Sequence, residues 1–213
     1  MLLYIIRHGE TELNKYGIMQ GTIDEPLNEA GKDLARMTGR AMKEAHIRFD
    51  ACISSPLVRA RQTARILLEE TGCGDLPLVL DKRIEEVHVG AYEGIRLEEG
   101  PLSPEKAHVF FEDPFAFEGF PGGETTRDVL ERTGAFLKDL AAREDDRTYL
   151  ISTHGFALRA LLNPLYEDPT DFWQGQVPYN CVVNVVEITG GRAGLVRRDQ
   201  IFYDPKYLNM QYG

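Results

Sequence analysis

The sequence predicts an α/β fold, a three-layer αβα sandwich around a mostly parallel central sheet, with one inserted segment acting as a lid. Three observations carry this expectation. Short apolar runs alternate along the chain with longer stretches whose apolar residues recur every three or four positions. Hydrophobic residues make up 43% and charged residues 27% of the chain, an ordinary globular composition. The 213 residues suffice to bury roughly 0.7 of the unfolded surface. One domain spanning 1–213 is therefore expected, with no internal repeat.

Leu2–Arg7 reads as a buried first strand. It has no basic segment ahead of it, and its apolar stretch is too short for a signal peptide. A helix follows Asn28, a good N-cap, with Leu34, Met37, Ala41 and Met42 on one face. Ala51–Ser54 reads as the second strand. The next helix follows Ser55-Pro56, with Pro56 placed in its first turn and Ala60, Ala64, Leu67 and Leu68 facing inward. Leu78–Leu80 is the third strand.

Residues 94–123 read as irregular. Phe110, Phe111, Phe115, Phe117 and Phe120 stand there among acidic residues and prolines. Two readings fit, a satellite core under a long loop or a lid lining a substrate pocket. A third long helix follows Gly122-Gly123, with Val129, Leu130, Thr133, Phe136, Leu137 and Leu140 at helical spacing. Thr148–Ser152 is a strand, and a helix through Leu158, Leu161 and Leu162 starts after His154-Gly155. Cys181–Ile188 is a strand, and Gly190-Gly191 turns the chain into a last strand, Gly194–Arg197, antiparallel to its neighbour.

The formal net charge of −10 argues against a general nucleic-acid binder or a partner of anionic membranes. A local basic pocket for a small anion remains compatible with it. Three cysteines without paired spacing argue against a disulfide framework or a zinc site, and the expected setting is the reduced cytoplasm. No apolar run approaches the roughly 20 residues of a membrane helix.

Ligands of parallel sheets bind beyond the carboxyl ends of the strands. The first strand ends in Arg7-His8-Gly9, the second leads through Ser54-Ser55-Pro56 to Arg59, and the fourth ends before His154-Gly155. If these strands are parallel, Arg7, His8, Arg59 and His154 meet at one edge. Gly9 and Gly155 would let a ligand approach the backbone closely. Two guanidinium forks suit a phosphoryl group, and a neutral imidazole is a competent nucleophile toward phosphorus. A second, protonated histidine would donate to a third phosphoryl oxygen. Glu86, after the third strand, is available as the proton donor to a leaving group. Adjacent Glu85 is its rival, and the spacing to Gly90 favours Glu86. A metal site at His8, Glu10 and Glu12 would need alternating strand geometry, which Gly9 breaks. His46, His88 and His108 read as surface or core histidines, and Arg61 and Arg65 as a solvated helix face.

Arg7-His8-Gly9-Glu10-Thr11 resembles the signature of the histidine phosphatase superfamily, in the branch that contains cofactor-dependent phosphoglycerate mutase. Five further blocks follow in the family's order. They are Gln20-Gly21 with Asp24, Pro26-Leu27, Glu29 and Gly31; Ser55 to Ala64; Glu86 to Gly90 with Glu93-Gly94; Pro121 to Thr125; and Thr153-His154-Gly155. The resemblance covers nearly the whole chain. It implies that His8 is the phosphorylated nucleophile, that Arg7, Arg59 and His154 form the phosphate pocket, and that Glu86 gives and takes the proton. It also implies that Asn14, Gln20 and Gly21 line the phosphate or substrate site. Tyr92, Thr125 and Asn28 depart from residues common in the family, and none touches the expected chemistry.

The expected reaction is a metal-independent and cofactor-independent double displacement. His8 attacks phosphorus in line while its other ring nitrogen donates to a backbone carbonyl. Arg7, Arg59 and His154 hold the equatorial oxygens. Glu86 protonates the departing alkoxide and later deprotonates water. Donation needs a Glu86 that holds its proton at neutral pH, which a nearby phosphate dianion and partial burial favour. The resembling mutases usually carry a longer insertion with paired arginines for a second anionic group. Residues 94–123 contain only Arg96 and Lys106 as fixed cations, so a phosphomonoesterase is favoured over a mutase. A non-catalytic phospho-ligand or protein-binding module would be marked by loss of His8 or Glu86, and both are present. The expected partner is a small phosphate ester with an apolar or aromatic leaving group. A sugar phosphate, a nucleotide-like ester such as alpha-ribazole phosphate, or a broad range all stay open, as does a homodimer.

Overall fold

The structure is a computed structural model that describes residues 1–143 and 145–210. In chain order the elements are β1 (Leu2–Arg7), α1 (Glu12–Lys15), α2 (Glu29–Glu44), β2 (Ala51–Ser54), α3 (Val58–Glu70) and β3 (Leu78–Leu80). They continue with α4 (Pro104–Glu112), α5 (Thr126–Ala141), β4 (Thr148–Thr153), α6 (Gly155–Leu162), β5 (Val183–Thr189) and β6 (Arg192–Gln200). The sheet order is β3-β2-β4-β1-β5-β6. β1, β2, β3 and β4 run parallel, β5 is antiparallel to β1, and β6 is antiparallel to β5. The α/β sandwich read from the sequence is the fold observed.

Alternation along the strands sorts the two outer layers. Leu3 and Ile5 of β1 join a buried cluster with Phe136 and Leu140 of α5 and Leu158 and Leu161 of α6. Ile6 faces the opposite layer, among Leu34 and Met42 of α2 and Ala64, Leu67 and Leu68 of α3. Each such buried leucine, isoleucine, phenylalanine or methionine contributes about 1.5–3 kcal/mol of transfer free energy.

Local signals place the helix starts. The Asn28 side chain accepts the Gly31 N–H, as its cap role requires, and Thr125 accepts from Asp128 in a capping box. Pro56 corrects the expectation for its helix. It lies ahead of the first turn, because the N-cap is Leu57 and the helix begins at Val58. The Ser55 hydroxyl takes the Leu57 N–H and the Asp24 carboxylate takes the Val58 N–H, so these two side chains set the entry. Cys181 is also corrected. It precedes β5 in a left-handed turn (φ 55), from which its N–H bonds the Arg7 carbonyl. The last strand is longer than expected, because pairing with β5 continues from Arg192 to Gln200.

Residues 94–123 are not irregular throughout. α4 begins at Pro104 after Ser103, where proline loses no hydrogen bond, and it buries Ala107 and Phe110. Phe110, Phe117 and Phe120 form a third core cluster with Phe156 of α6 and with Phe172 and Trp173 of the chain between α6 and β5. The segment is thus the satellite core of one reading, and its Phe110 and Phe111 also wall the cavity described below.

Candidate active site

Parallel registers bring the strand ends together as expected. Arg7 pairs with Thr153, and Ser54 pairs with Ser152. Just beyond them the backbone carries His8, Ser55 and His154. The His8 N–H donates to the Thr153 carbonyl (2.9 Å), and Asn180 Nδ2 donates to the His8 carbonyl (2.9 Å). The loop that holds His8 is therefore braced from β4 and from the chain before β5.

His8 is 2% exposed. Its Nδ1 lies 2.6 Å from the Gly9 carbonyl, so Nδ1 carries the proton and Nε2 keeps its lone pair. Burial first, and then the charges of Arg59 and Arg7, hold the imidazole well below its ordinary pKa of 6.5. It is neutral at pH 7.

Arg59 is fully buried in the first turn of α3. Its Nη1 donates to the Ile23 carbonyl (2.6 Å), Nη2 to the Gly21 carbonyl (2.8 Å) and Nε to His154 Nδ1 (3.2 Å). Burial pushes its pKa down to about 10, which leaves it charged at neutral pH. Among the described residues no carboxylate lies within ion-pair distance of it. Arg7 is 5% exposed and donates to the Pro178 carbonyl. Two buried guanidiniums are costly to keep unless an anion completes the site.

His154 differs from the expectation of a protonated donor. Burial, the Arg59 charge and His8 hold it well below 6.5, so it is neutral. Its Nδ1 accepts from Arg59, which leaves Nε2–H to donate to the Ser55 hydroxyl at 2.7 Å. The ring lies 5.1 Å from that of His8 and orients the Arg59 fork. Ser55 thereby gains a part that strand-end reasoning did not assign to it.

Glu86 reaches the N-terminus of α6. Its carboxylate accepts the N–H groups of Gly155 (2.9 Å), Phe156 (3.3 Å) and Ala157 (3.1 Å). A helix start favours a carboxylate through its free N–H groups and its dipole. Glu85 lines a charged hollow with Lys82, Arg83 and Arg132, which Glu86 borders as well. Only Glu86 of the two lines the cavity that holds His8.

That cavity has a volume of about 380 Å³, within the range of small-molecule sites. Arg7, His8, Arg59, Glu86 and Gly155 lie on its wall, with Asn14, Gln20 and Gly21 on the same lining. His154 contributes from behind Arg59. Gln20 Oε1 is held by the Thr11 hydroxyl (2.9 Å). Gly21 sits at φ 49, and a Cβ there would meet Glu93 Oε1 at 2.5 Å, so glycine is required by the turn that offers its carbonyl to Arg59.

The reason for Gly9 also changes. A Cβ on Gly9 would stand 2.5 Å from the Gly31 carbonyl oxygen, and one on Gly31 would stand 2.1 Å from the Glu10 carbonyl oxygen. Close packing of α2 on the strand end, not room for a ligand, requires this glycine. The rest of the cavity wall is apolar, from Ile18, Met19, Val87, Val89, Phe110, Phe111, Phe156, Trp173 and Val177. Trp173 and Val177 went unread in the sequence because they lie in a non-periodic stretch. His46 and His108 are exposed, and half-buried His88 sits 3.4 Å from Glu93. Arg61 is exposed, while Arg65 bonds the carbonyls of Gly74 and Leu76. No group of three or more metal-ligating side chains occurs among the described residues, and none of their helices is long and apolar enough to cross a membrane.

Comparison with known proteins agrees with this geometry. The profile of the histidine phosphatase superfamily (branch 1) matches residues 3–200. A 2,3-bisphosphoglycerate-dependent phosphoglycerate mutase of Methylobacterium sp. (strain 4-46) is 34% identical over 164 residues, covering 76% of this chain and 78% of that protein. Phosphoserine phosphatase 1 of Hydrogenobacter thermophilus is 32% identical over 173 residues, covering 80% and 79%. The solved structure of Bacillus stearothermophilus YhfR superposes with a TM-score of 0.82 at 30% identity, covering 92% of this chain and 95% of that one. With a neutral histidine and two buried guanidiniums converging on one cavity, and with relatives of these kinds, the chain belongs to the histidine phosphatase superfamily, branch 1, and is an enzyme acting on phosphate esters.

Proposed function

We propose that the protein is a phosphomonoesterase that works through a phosphohistidine and prefers esters with an apolar or aromatic leaving group. The observation that carries this reading is the cavity wall. Among the described residues Arg7 and Arg59 are the only lysine or arginine side chains on it, and both lie beside His8. Arg96 and Lys106 of the 94–123 segment are exposed and lie off the cavity. A mutase must hold a second anionic group on its substrate, and away from Arg7 and Arg59 the described lining offers that group no cation, only the amides of Asn14 and Gln20 and a largely aliphatic and aromatic wall.

In the first step His8 Nε2 attacks phosphorus opposite the ester oxygen. The N–P bond forms as the P–O bond breaks, while Arg7 and Arg59 neutralise the equatorial oxygens. Glu86 gives its proton to the departing alkoxide. In the second step water attacks the phosphohistidine, Glu86 takes the water's proton, the N–P bond breaks and inorganic phosphate leaves. His8 is neutral beforehand and Glu86 is protonated again afterwards, so the cycle closes without a metal. The neutral His154 aligns Arg59 and makes no bond to the phosphoryl group in this scheme.

A panel of alkyl and aryl phosphates, assayed with a chelator present and with 3-phosphoglycerate isomerisation measured in parallel, tests the reading. Aryl and apolar alkyl esters should be hydrolysed fastest, and acid-labile phosphate should appear on the protein and vanish in His8→Ala. Isomerisation of 3-phosphoglycerate faster than any hydrolysis would refute it.

A further inference from the structure

We propose that Arg132 and Glu124 form a positioning clamp that aims Glu86 at the ester oxygen, an inference that rests on Glu86 being the proton donor. The chain from Arg83 to Val89 belongs to no strand, so its backbone carbonyls have no sheet partner. Arg132 of α5 supplies them. Its Nη1 donates to the carbonyls of Arg83 (2.9 Å) and Glu85 (2.8 Å), and its Nη2 to that of Glu86 (3.1 Å). The same guanidinium is locked by Glu124, with Nε to Oε1 at 2.8 Å and Nη2 to Oε2 at 2.9 Å. Glu124 in turn takes the His88 N–H (3.0 Å), and its own N–H donates to the His88 carbonyl (2.8 Å). One planar fork thus fixes the backbone on both sides of Glu86.

The Glu86 side chain is held at its other end by the N–H groups of α6. While Glu86 carries its proton those contacts weaken, because the free N–H groups of a helix start favour the ionised carboxylate. The clamp then becomes the remaining constraint on where the carboxyl points. A misplacement of about 1 Å in such a group costs on the order of 100-fold in rate. Lysine cannot replace this geometry, because its single ammonium cannot reach three carbonyls and a bidentate carboxylate together. Arg83 also ties this chain down through Asp81 and Asp139, so losing Arg132 should loosen the segment without unfolding it.

The experiment uses the intact protein with Arg132→Ala, Arg132→Lys, Glu124→Gln and Glu86→Gln, each on an alkyl phosphate and on nitrophenyl phosphate. An alkoxide needs the proton from Glu86, and a nitrophenolate scarcely does. Arg132→Ala should lower kcat on the alkyl ester by roughly 10- to 100-fold. KM should stay within about twofold, and the nitrophenol burst should lose less than about threefold. Glu124→Gln, which keeps the shape of the pair, should show the same pattern at smaller size. Arg132→Lys should recover little, whereas millimolar guanidinium added to Arg132→Ala should restore alkyl cleavage. In the double variant Glu86→Gln with Arg132→Ala, the second change should cost almost nothing further. A leaving-group-dependent first step in Glu86→Gln combined with equal first-step losses on both esters in Arg132→Ala would overturn the clamp alone. So would full additivity of the two changes, or undiminished alkyl cleavage in both Arg132→Ala and Glu124→Gln. Equal losses on both esters in the phosphoryl-transfer step of Glu86→Gln itself, read from single-turnover release of alcohol and nitrophenol, would overturn the proton-donor assignment, and the clamp with it.

Discussion

The two buried histidines of the site make a prediction about acid stability that can be worked from their burial and charge surroundings. His8 and His154 are both held neutral in the folded protein, chiefly by burial and then by the adjacent guanidiniums. In the unfolded chain each returns to an ordinary pKa of about 6.5. Below that pH the unfolded state therefore binds two protons that the folded state refuses. Stability must rise with pH across this window, and the contribution is complete above pH 6.5 and is lost as pH falls toward the folded values. From pH 7.5 to 5.5 each histidine removes at most about 1.4 kcal/mol, together at most about 2.7 kcal/mol, the limit reached when neither takes up a proton in the folded state. That is a large share of the 5–15 kcal/mol typical of a folded domain. Urea denaturation at the two pH values, in phosphate-free buffer, reads it directly. The control is His8→Asn combined with His154→Asn, in which all other titrating groups are retained. The parent should lose up to about 2.7 kcal/mol more than the control on acidification. Equal losses in the two proteins would show that these imidazoles take up protons as readily in the folded protein as in the unfolded chain, and would refute the lowering by burial and by the guanidiniums.

Two further perturbations probe the cavity wall and the packing beneath it. Phe111 is 38% exposed at the cavity and stacks on Trp173, so Phe111→Ala should lower kcat/KM for aryl esters by about tenfold. Small alkyl esters should be nearly unaffected, and an equal loss on both classes would argue that Phe111 does not meet the leaving group. Gly31→Ala would place a Cβ 2.1 Å from the Glu10 carbonyl oxygen, against backbone that cannot turn aside. It should cost more than about 2 kcal/mol in urea denaturation, and a neutral result would show that α2 is free to shift on the strand end.

Much of the fold was legible because its signals are local. The strand starting at Leu2 alternates between two helical layers, Asn28 caps its helix, and Leu158, Leu161 and Leu162 fall on one buried face. Such features depend on chain periodicity and on hydrogen bonds within a few residues. The candidate site was legible for a related reason. Arg7 ends a strand, His8 and His154 follow one, and Arg59 lies in the first turn of the helix after another, so parallel pairing alone brings them to one edge. α4 was missed because its nine residues bury only Ala107 and Phe110, too few positions to mark a helical period.

By itself, then, the sequence determined the order of the strands and of the long helices, and the edge where Arg7, His8, Arg59 and His154 collect. Only the tertiary structure decided their states. His154 is neutral because burial and a neighbouring guanidinium act through space, and its hydrogen to Ser55 Oγ spans residues 99 apart in the chain. Gly9 is needed because another backbone passes beside it, 22 residues later, at Gly31. The apolar wall joins Met19, Phe110 and Val177 from three distant segments, and no local pattern marks residues that meet only when the chain has closed around them.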